Sequence, residues 1–126
     1  MTQADVASPG PEAAYNAHLA SGRFMIQRAP STGEYVFYPR VVTPQGATDL
    51  EWVEAQGTGT VYAITVNRSR EGSRNVALVD LDEGVRMMST LPTVETAAVG
   101  TRVVARIEYL DDGPRVVFDP IEGGAA

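Results

Sequence analysis

Apolar and polar positions repeat with two different periods along this chain, and the change of period divides it. From Pro11 the pattern is helical, with Tyr15, His18 and Leu19 on one face at i, i+3 and i+4 spacing. Gly10 can cap, Pro11 suits the first helical position, and Glu12 sits at the positive end of the dipole. Ser21-Gly22 supplies the stop. A helix of about three turns is marginal alone in water, so it must dock on its own domain or on a partner. Phe24 to Ile26 and Tyr35 to Tyr38 then predict two short strands around a turn at Pro30-Ser31-Thr32-Gly33. Pro39, Pro44 and Gly46 break regular structure as far as Leu50.

Beyond Glu51 the period becomes two. Thr60 to Val66 sets Tyr62, Ile64 and Val66 on one face, and Val76 to Leu81 groups Ala77, Val79 and Leu81. Asp82-Glu83-Gly84 is a tight hairpin loop before a return strand, Val85 to Leu91. Thr101 to Leu110 directs Val103, Ala105, Ile107 and Tyr109 inward, and Asp111-Asp112-Gly113-Pro114 turns into a last strand, Arg115 to Phe118. Five strands with one longer connection, Pro92 to Gly100, predict a mainly β fold: a small Greek-key barrel of the OB type. Gly57 and Gly59 fall where a barrel corner needs a bend or a close backbone approach. The expected organisation is an N-terminal arm and helix over 1–23, an irregular segment over 24–51, the barrel over 52–122 and a disordered tail over 123–126. Met1 to Gly10 is expected to be a loose arm.

Composition then removes whole classes of chemistry. The 126 residues contain no cysteine, which excludes disulfides, thiolate nucleophiles and cysteine-ligated metals, and one histidine, which excludes a histidine-rich metal site. No apolar run approaches the ~20 residues of a membrane helix. The start has neither a basic n-region nor an apolar h-region, so a cytoplasmic protein is expected. Ten basic against sixteen acidic residues leave a net charge of −6, a poor balance for gripping duplex nucleic acid. All ten basic residues are arginine.

Several blocks arrive in the order of one known family. They are Phe24-Met25-Ile26-Gln27-Arg28, Tyr38-Pro39-Arg40, Leu50-Glu51-Trp52 and Gly57-Thr58-Gly59-Thr60-Val61-Tyr62, then Val76 to Gly84 and Phe118-Asp119-Pro120. Over roughly residues 14–120 the chain resembles the acyl-CoA-associated zinc-ribbon/OB-fold proteins, long catalogued as a domain of unknown function. The resemblance implies a rubredoxin-like ribbon over 24–51, held in the family by two Cys-x-x-Cys pairs around zinc. Here those ligand positions fall on Ala29 and Thr32 and on Thr43 and Gly46, so a degenerate, metal-free ribbon is expected, and no cofactor. Structural zinc contributes on the order of 10 kcal/mol to small modules. Buried aromatics, worth about 2–3 kcal/mol each, are the candidate replacement: Tyr35, Phe37, Tyr38 and Trp52. They bury against the barrel, within a homodimer, or under a partner subunit.

The resemblance further implies a non-catalytic accessory subunit, working with thiolase-like condensing enzymes, hydratases or aldolases that act on CoA thioesters. Tyr15, Leu19, Tyr35, Phe37, Tyr38 and Trp52 are then the candidate partner interface. Arg68, Arg70 and Arg74 crowd the loop after the first barrel strand. That loop binds oligonucleotides in many OB-folds, and guanidinium forks also suit the phosphates of a coenzyme A; a solvated loop without a specific task is the competing interpretation. A single-stranded nucleic-acid-binding OB module is the alternative function, disfavoured by the charge and by few barrel aromatics. No catalytic set emerges. His18 reads as a packing residue because no nucleophile is tied to it. Asp80, Asp82 and Glu83 fail the calcium-loop spacing, with glycine fifth and Leu91 twelfth, and belong to a strand edge and its hairpin. Asp111 and Asp112 are turn formers, and Gly57-Thr58-Gly59 lacks the lysine and helix of a phosphate loop.

Overall fold

The computed structural model describes residues 10–121. The expected N-terminal arm, apart from Gly10, and the expected tail at 123–126 lie outside the described residues. The chain divides into two compact units, Met1–Ala55 and Gln56–Ala126.

In the N-terminal unit, helix α1 (Pro11–Ala20) begins at Gly10 with proline at its first position. It ends where Gly22, in the left-handed region at φ 88°, lets the Gly22 and Arg23 amides bond back to the Leu19 and His18 carbonyls. Tyr15 and Leu19 are its buried residues. Three short strands follow: β1 (Met25–Ala29), β2 (Glu34–Val36) and β3 (Glu51–Glu54), in the order β2-β1-β3 and antiparallel throughout. The third strand does not stand out in the sequence, being four residues long after an irregular stretch. It carries Trp52, which lies opposite Gln27 in this sheet.

The C-terminal unit is the expected five-stranded barrel. Its strands are β4 (Thr58–Ser69), β5 (Gly72–Leu81), β6 (Arg86–Ser89), β7 (Arg102–Leu110) and β8 (Gly113–Pro120), ordered β6-β5-β4-β7-β8. The ends approach closure: the Phe118 amide donates to the Thr90 carbonyl at 3.0 Å and the Ser89 hydroxyl to the Val116 carbonyl at 2.8 Å. Val61, Ala77, Val79, Leu81, Val103, Val117 and Phe118 fill the core. The order and the OB topology agree with the sequence pattern.

Two assignments of strand face are corrected. A β-bulge between Val61 and Ala63 shifts the phase of β4, so Val61, Ile64 and Val66 face Val79, Ala77 and Asn75. Tyr62 is thereby turned out, half-exposed, with the Arg86 guanidinium 3.5 Å from its ring centre. Tyr109 is 61% exposed because β7 has run past the core by that point. Gly59 meets the expectation of close approach: a Cβ there would lie 2.6 Å from the Asp80 carbonyl oxygen.

Candidate functional site

Ala29, Thr32, Thr43 and Gly46, the positions where the resemblance implies emptied zinc ligands, lie in or beside two turns of the N-terminal unit. Ala29 ends β1 and is fully buried, and the Thr32 and Gly33 amides both bond to its carbonyl. The second turn runs from Thr43 to Ala47, closed by the Gly46 amide on the Thr43 carbonyl and the Thr43 amide on the Ala47 carbonyl. A methyl, two hydroxyls and a bare glycine do not make a zinc site, which needs four thiolate, imidazole or carboxylate ligands. Among the described residues no three histidine, aspartate or glutamate side chains converge on one point.

A carboxylate occupies the space between these turns instead. Glu34 accepts hydrogen bonds from the Thr32 hydroxyl at 2.8 Å and from the Gln45 amide at 3.3 Å. The Thr43 hydroxyl first, and then these bonds, hold its carboxyl below the ordinary glutamate value. Nearby, Asp49 takes the Ser31 hydroxyl at 2.8 Å and the Ser31 amide at 2.9 Å. Gln27, almost fully buried, exchanges two 2.7 Å bonds with the backbone of Arg40. The irregular segment is thus tied down by side chains bonding to distant backbone.

The candidate interface residues group in two sets. Tyr15 meets Phe37 edge-on at 5.5 Å and Tyr38 at 6.1 Å, while His18 lies 5.2 Å from the Trp52 ring. Tyr15 and Leu19 are buried, whereas Tyr35, Phe37 and Trp52 are partly exposed and Tyr38 is 47% exposed. Burial first, and the neighbouring Tyr38 second, push the Tyr15 hydroxyl far above the ordinary tyrosine value. Burial first, and Glu12 at the start of α1 second, raise the Tyr38 hydroxyl above its ordinary value, and Arg28 lies over Tyr35 at 5.7 Å. A shallow cleft of about 330 Å³ runs beside this set, lined by Pro11, Arg40, Val41, Leu50 and Trp52.

The three arginines of the expected loop sit on a hairpin. The β4–β5 ladder continues to Ser69 opposite Gly72, leaving only Arg70 and Glu71 in the turn. Arg68 lies opposite Ser73 and Asn67 opposite Arg74, so strand alternation sends Arg68 and Arg74 to opposite faces. Arg68 is held by Glu95 at 2.9 Å, and Ser73 donates to the same carboxylate at 3.0 Å. Among the described residues neither Arg70 nor Arg74 has an ion pair. Arg74 instead joins Arg115, Thr90 and Leu91 around a cleft of about 370 Å³. Its floor is braced by Asn75, whose amide donates to the carbonyls of Leu91, Val94 and Glu95 and accepts from the Leu91 amide.

The acidic knot is structural. Asp80 pairs with Arg86 at 2.6 Å, and Asp82 pairs twice with Arg102 at 2.8 and 2.9 Å while accepting the Thr58 hydroxyl. The Arg102 bonds first, then Thr58, lower the Asp82 carboxyl to about 2. Glu83 accepts the Gln56 amide at 2.6 Å through one oxygen, and its other oxygen is buried without a partner. Asp111 and Asp112 form the two-residue β7–β8 turn.

Comparison with known proteins bears on both units. The family model of the ChsH2 C-terminal OB-fold domain matches residues 52–108. A solved structure described as an Ltp2-ChsH2(DUF35) aldolase is similar at 30% identity and a TM-score of 0.74, covering 90% of this chain and 97% of that one. The chain belongs to the ChsH2 (DUF35) family. No curated protein matches it. Within this ChsH2-family chain, sequence reasoning missed Glu34, Gln27 and Asn75, which bond to groups 11 to 20 residues away. The available signal was a polar residue on an otherwise apolar strand, as in Met25-Ile26-Gln27 and Asn75-Val76-Ala77.

Proposed function

We propose that this chain is a non-catalytic accessory subunit that docks on an acyl-CoA-processing enzyme. The observation that carries the proposal is the likeness to a ChsH2 chain solved within an aldolase, extending over nearly the whole of that chain. The chemistry of the candidate residues agrees: Asp80, Asp82 and Glu95 are engaged with arginines, and His18 lies against Trp52. In this proposal residues 24–51 are a degenerate zinc-ribbon-like segment. The rings of Tyr35, Phe37, Tyr38 and Trp52 face the partner, with buried Tyr15 packed against Phe37 and Tyr38. Aromatic rings on a braced backbone make good anchors, because little side-chain freedom is lost on docking. Arg70 and Arg74 are proposed to meet the coenzyme A phosphates, Arg68 being turned to the other face and held by Glu95. No helix among the described residues is long and apolar enough to cross a membrane, and a cytoplasmic location goes with the proposed role.

Co-expression with an aldolase or thiolase-like enzyme from the same genome tests the proposal. A stoichiometric complex is expected, weakened about tenfold or more by the pair Tyr38→Ala and Trp52→Ala. Calorimetry with coenzyme A on that complex is expected to lose affinity in Arg70→Ala/Arg74→Ala. Absence of any complex, together with no coenzyme A binding, would overturn the assignment.

A further inference from the structure

We propose that the Glu34 carboxylate is a staple that locks the turn at 29–33 to the turn at 43–47, doing with hydrogen bonds what an ion does in a metal-holding ribbon. Equating these turns with emptied metal loops rests on the ribbon proposal above; the staple itself rests on the bonds. Glu34 opens β2, directly after the first turn, and its backbone is fixed by pairing with Ala29. Its side chain therefore projects from a rigid base. One oxygen takes the Thr32 hydroxyl of the first turn. The second turn supplies the Gln45 amide to the other oxygen at 3.3 Å.

Both threonines also brace their own turns. The Thr32 oxygen accepts the Glu34 amide at 3.2 Å, and the Thr43 oxygen accepts the Ala47 amide at 3.0 Å. The Thr32 hydroxyl thus passes its proton to the carboxylate while receiving an amide, so the direction of both bonds is set. Bonds to an anionic acceptor are the strong form of such a link. Thr43, almost fully buried, sets the second turn that presents the Gln45 amide. Thr32 and Thr43 are also two of the positions that the ribbon proposal sets at zinc ligands.

The test uses the full chain and amide exchange followed by NMR. In Glu34→Ala the Gln45 and Ala47 amides are expected to exchange about tenfold faster or more. Val61 and Val79, in the barrel ladder, are expected to keep wild-type protection. Glu34→Gln is expected to fall between, since it retains one acceptor oxygen but turns an NH2 toward a donor. Should the alanine variant fail to fold, Glu34→Gln and Thr43→Val, alone and combined, decide by their coupling: non-additive losses support the staple. Unchanged Gln45 exchange in Glu34→Ala, or strictly additive losses in the cycle, would overturn it. Zinc added to Glu34→Ala is expected to leave exchange as it was. Restored protection on adding zinc would overturn the metal-free ribbon while leaving the exchange result for the staple intact.

Discussion

The two units of this chain solve the same problem by opposite means. The C-terminal unit has four strands of eight to twelve residues whose backbone ladders run almost unbroken over a core of valines, Leu81 and Phe118. The N-terminal unit has strands of five, three and four residues, and no helix or strand between Val36 and Glu51. A short sheet satisfies few backbone groups by pairing, so the remainder must be met by side chains. Gln27, Glu34, Thr43 and Asp49 meet them here, and a ring cluster on Tyr15 supplies the apolar burial. Long strands build a unit from local repetition; short strands build one from a few long-range bonds, each of which matters singly.

Breaking each core in turn probes that difference most strongly. Phe118→Ala removes a fully buried ring and is expected to cost the barrel about 3–5 kcal/mol, read from denaturant unfolding. Leu19→Ala is expected to cost about 3 kcal/mol, with faster amide exchange in β1 and β3. Equal loss of protection in both units from either variant would break the comparison, because it would make them one cooperative body. Asn75→Ala should be milder, about 2–3 kcal/mol, since it leaves buried carbonyls near Leu91 and Val94 without a donor. Its effect belongs in exchange rates over residues 90–95, where the barrel borrows the side-chain device of the other unit.

The pH response sharpens the contrast further. The carboxyls of Asp82 and Asp119 in the barrel, and of Glu34 and Asp49 in the N-terminal unit, titrate below their ordinary values in the fold. The folded state therefore binds fewer protons there, so this stability is present above about pH 4 and fades as pH falls toward about 2. Tyr15 behaves oppositely. Its hydroxyl is raised by burial, so the unfolded chain ionises first and stability is lost as pH climbs beyond about 10. Acid unfolding is expected to touch both units, and the Tyr15 contribution to alkaline unfolding to begin in the N-terminal one. Near-ultraviolet circular dichroism with tyrosine absorbance follows both limbs.

Periodicity made much of this fold legible. Helix α1 and the five barrel strands follow from spacing, because residues that repeat along one face must share a core. The bulge at Tyr62 escaped because one extra residue reverses the phase without leaving a signature in an unbroken Thr-Val-Tyr-Ala-Ile run. The β1–β3 pairing escaped for another reason: Gln27 and Trp52 meet across 24 intervening residues, most of them irregular. For the candidate site, the sequence marked the turns that hold Thr32 and Thr43 but not the carboxylate joining them. Glu34 reads as one more exposed acid until the Thr32 hydroxyl and the Gln45 amide are brought to it. The sequence placed Arg68, Arg70 and Arg74 in a loop, whereas the ladder puts Arg68 in β4 and Arg74 in β5. Their separation onto two faces appears only once the ladder is seen to continue through Ser69 and Gly72.

The polar links in the N-terminal unit are built from nitrogen and oxygen, and the chain offers no thiol for alkylation to reach. A cysteine introduced at 68%-exposed Met88, or at Tyr38, would be the sole handle for a maleimide dye or a photo-crosslinker. The outline of whatever binds this protein can therefore be traced one labelled position at a time, without first stripping native sulfhydryls from the molecule.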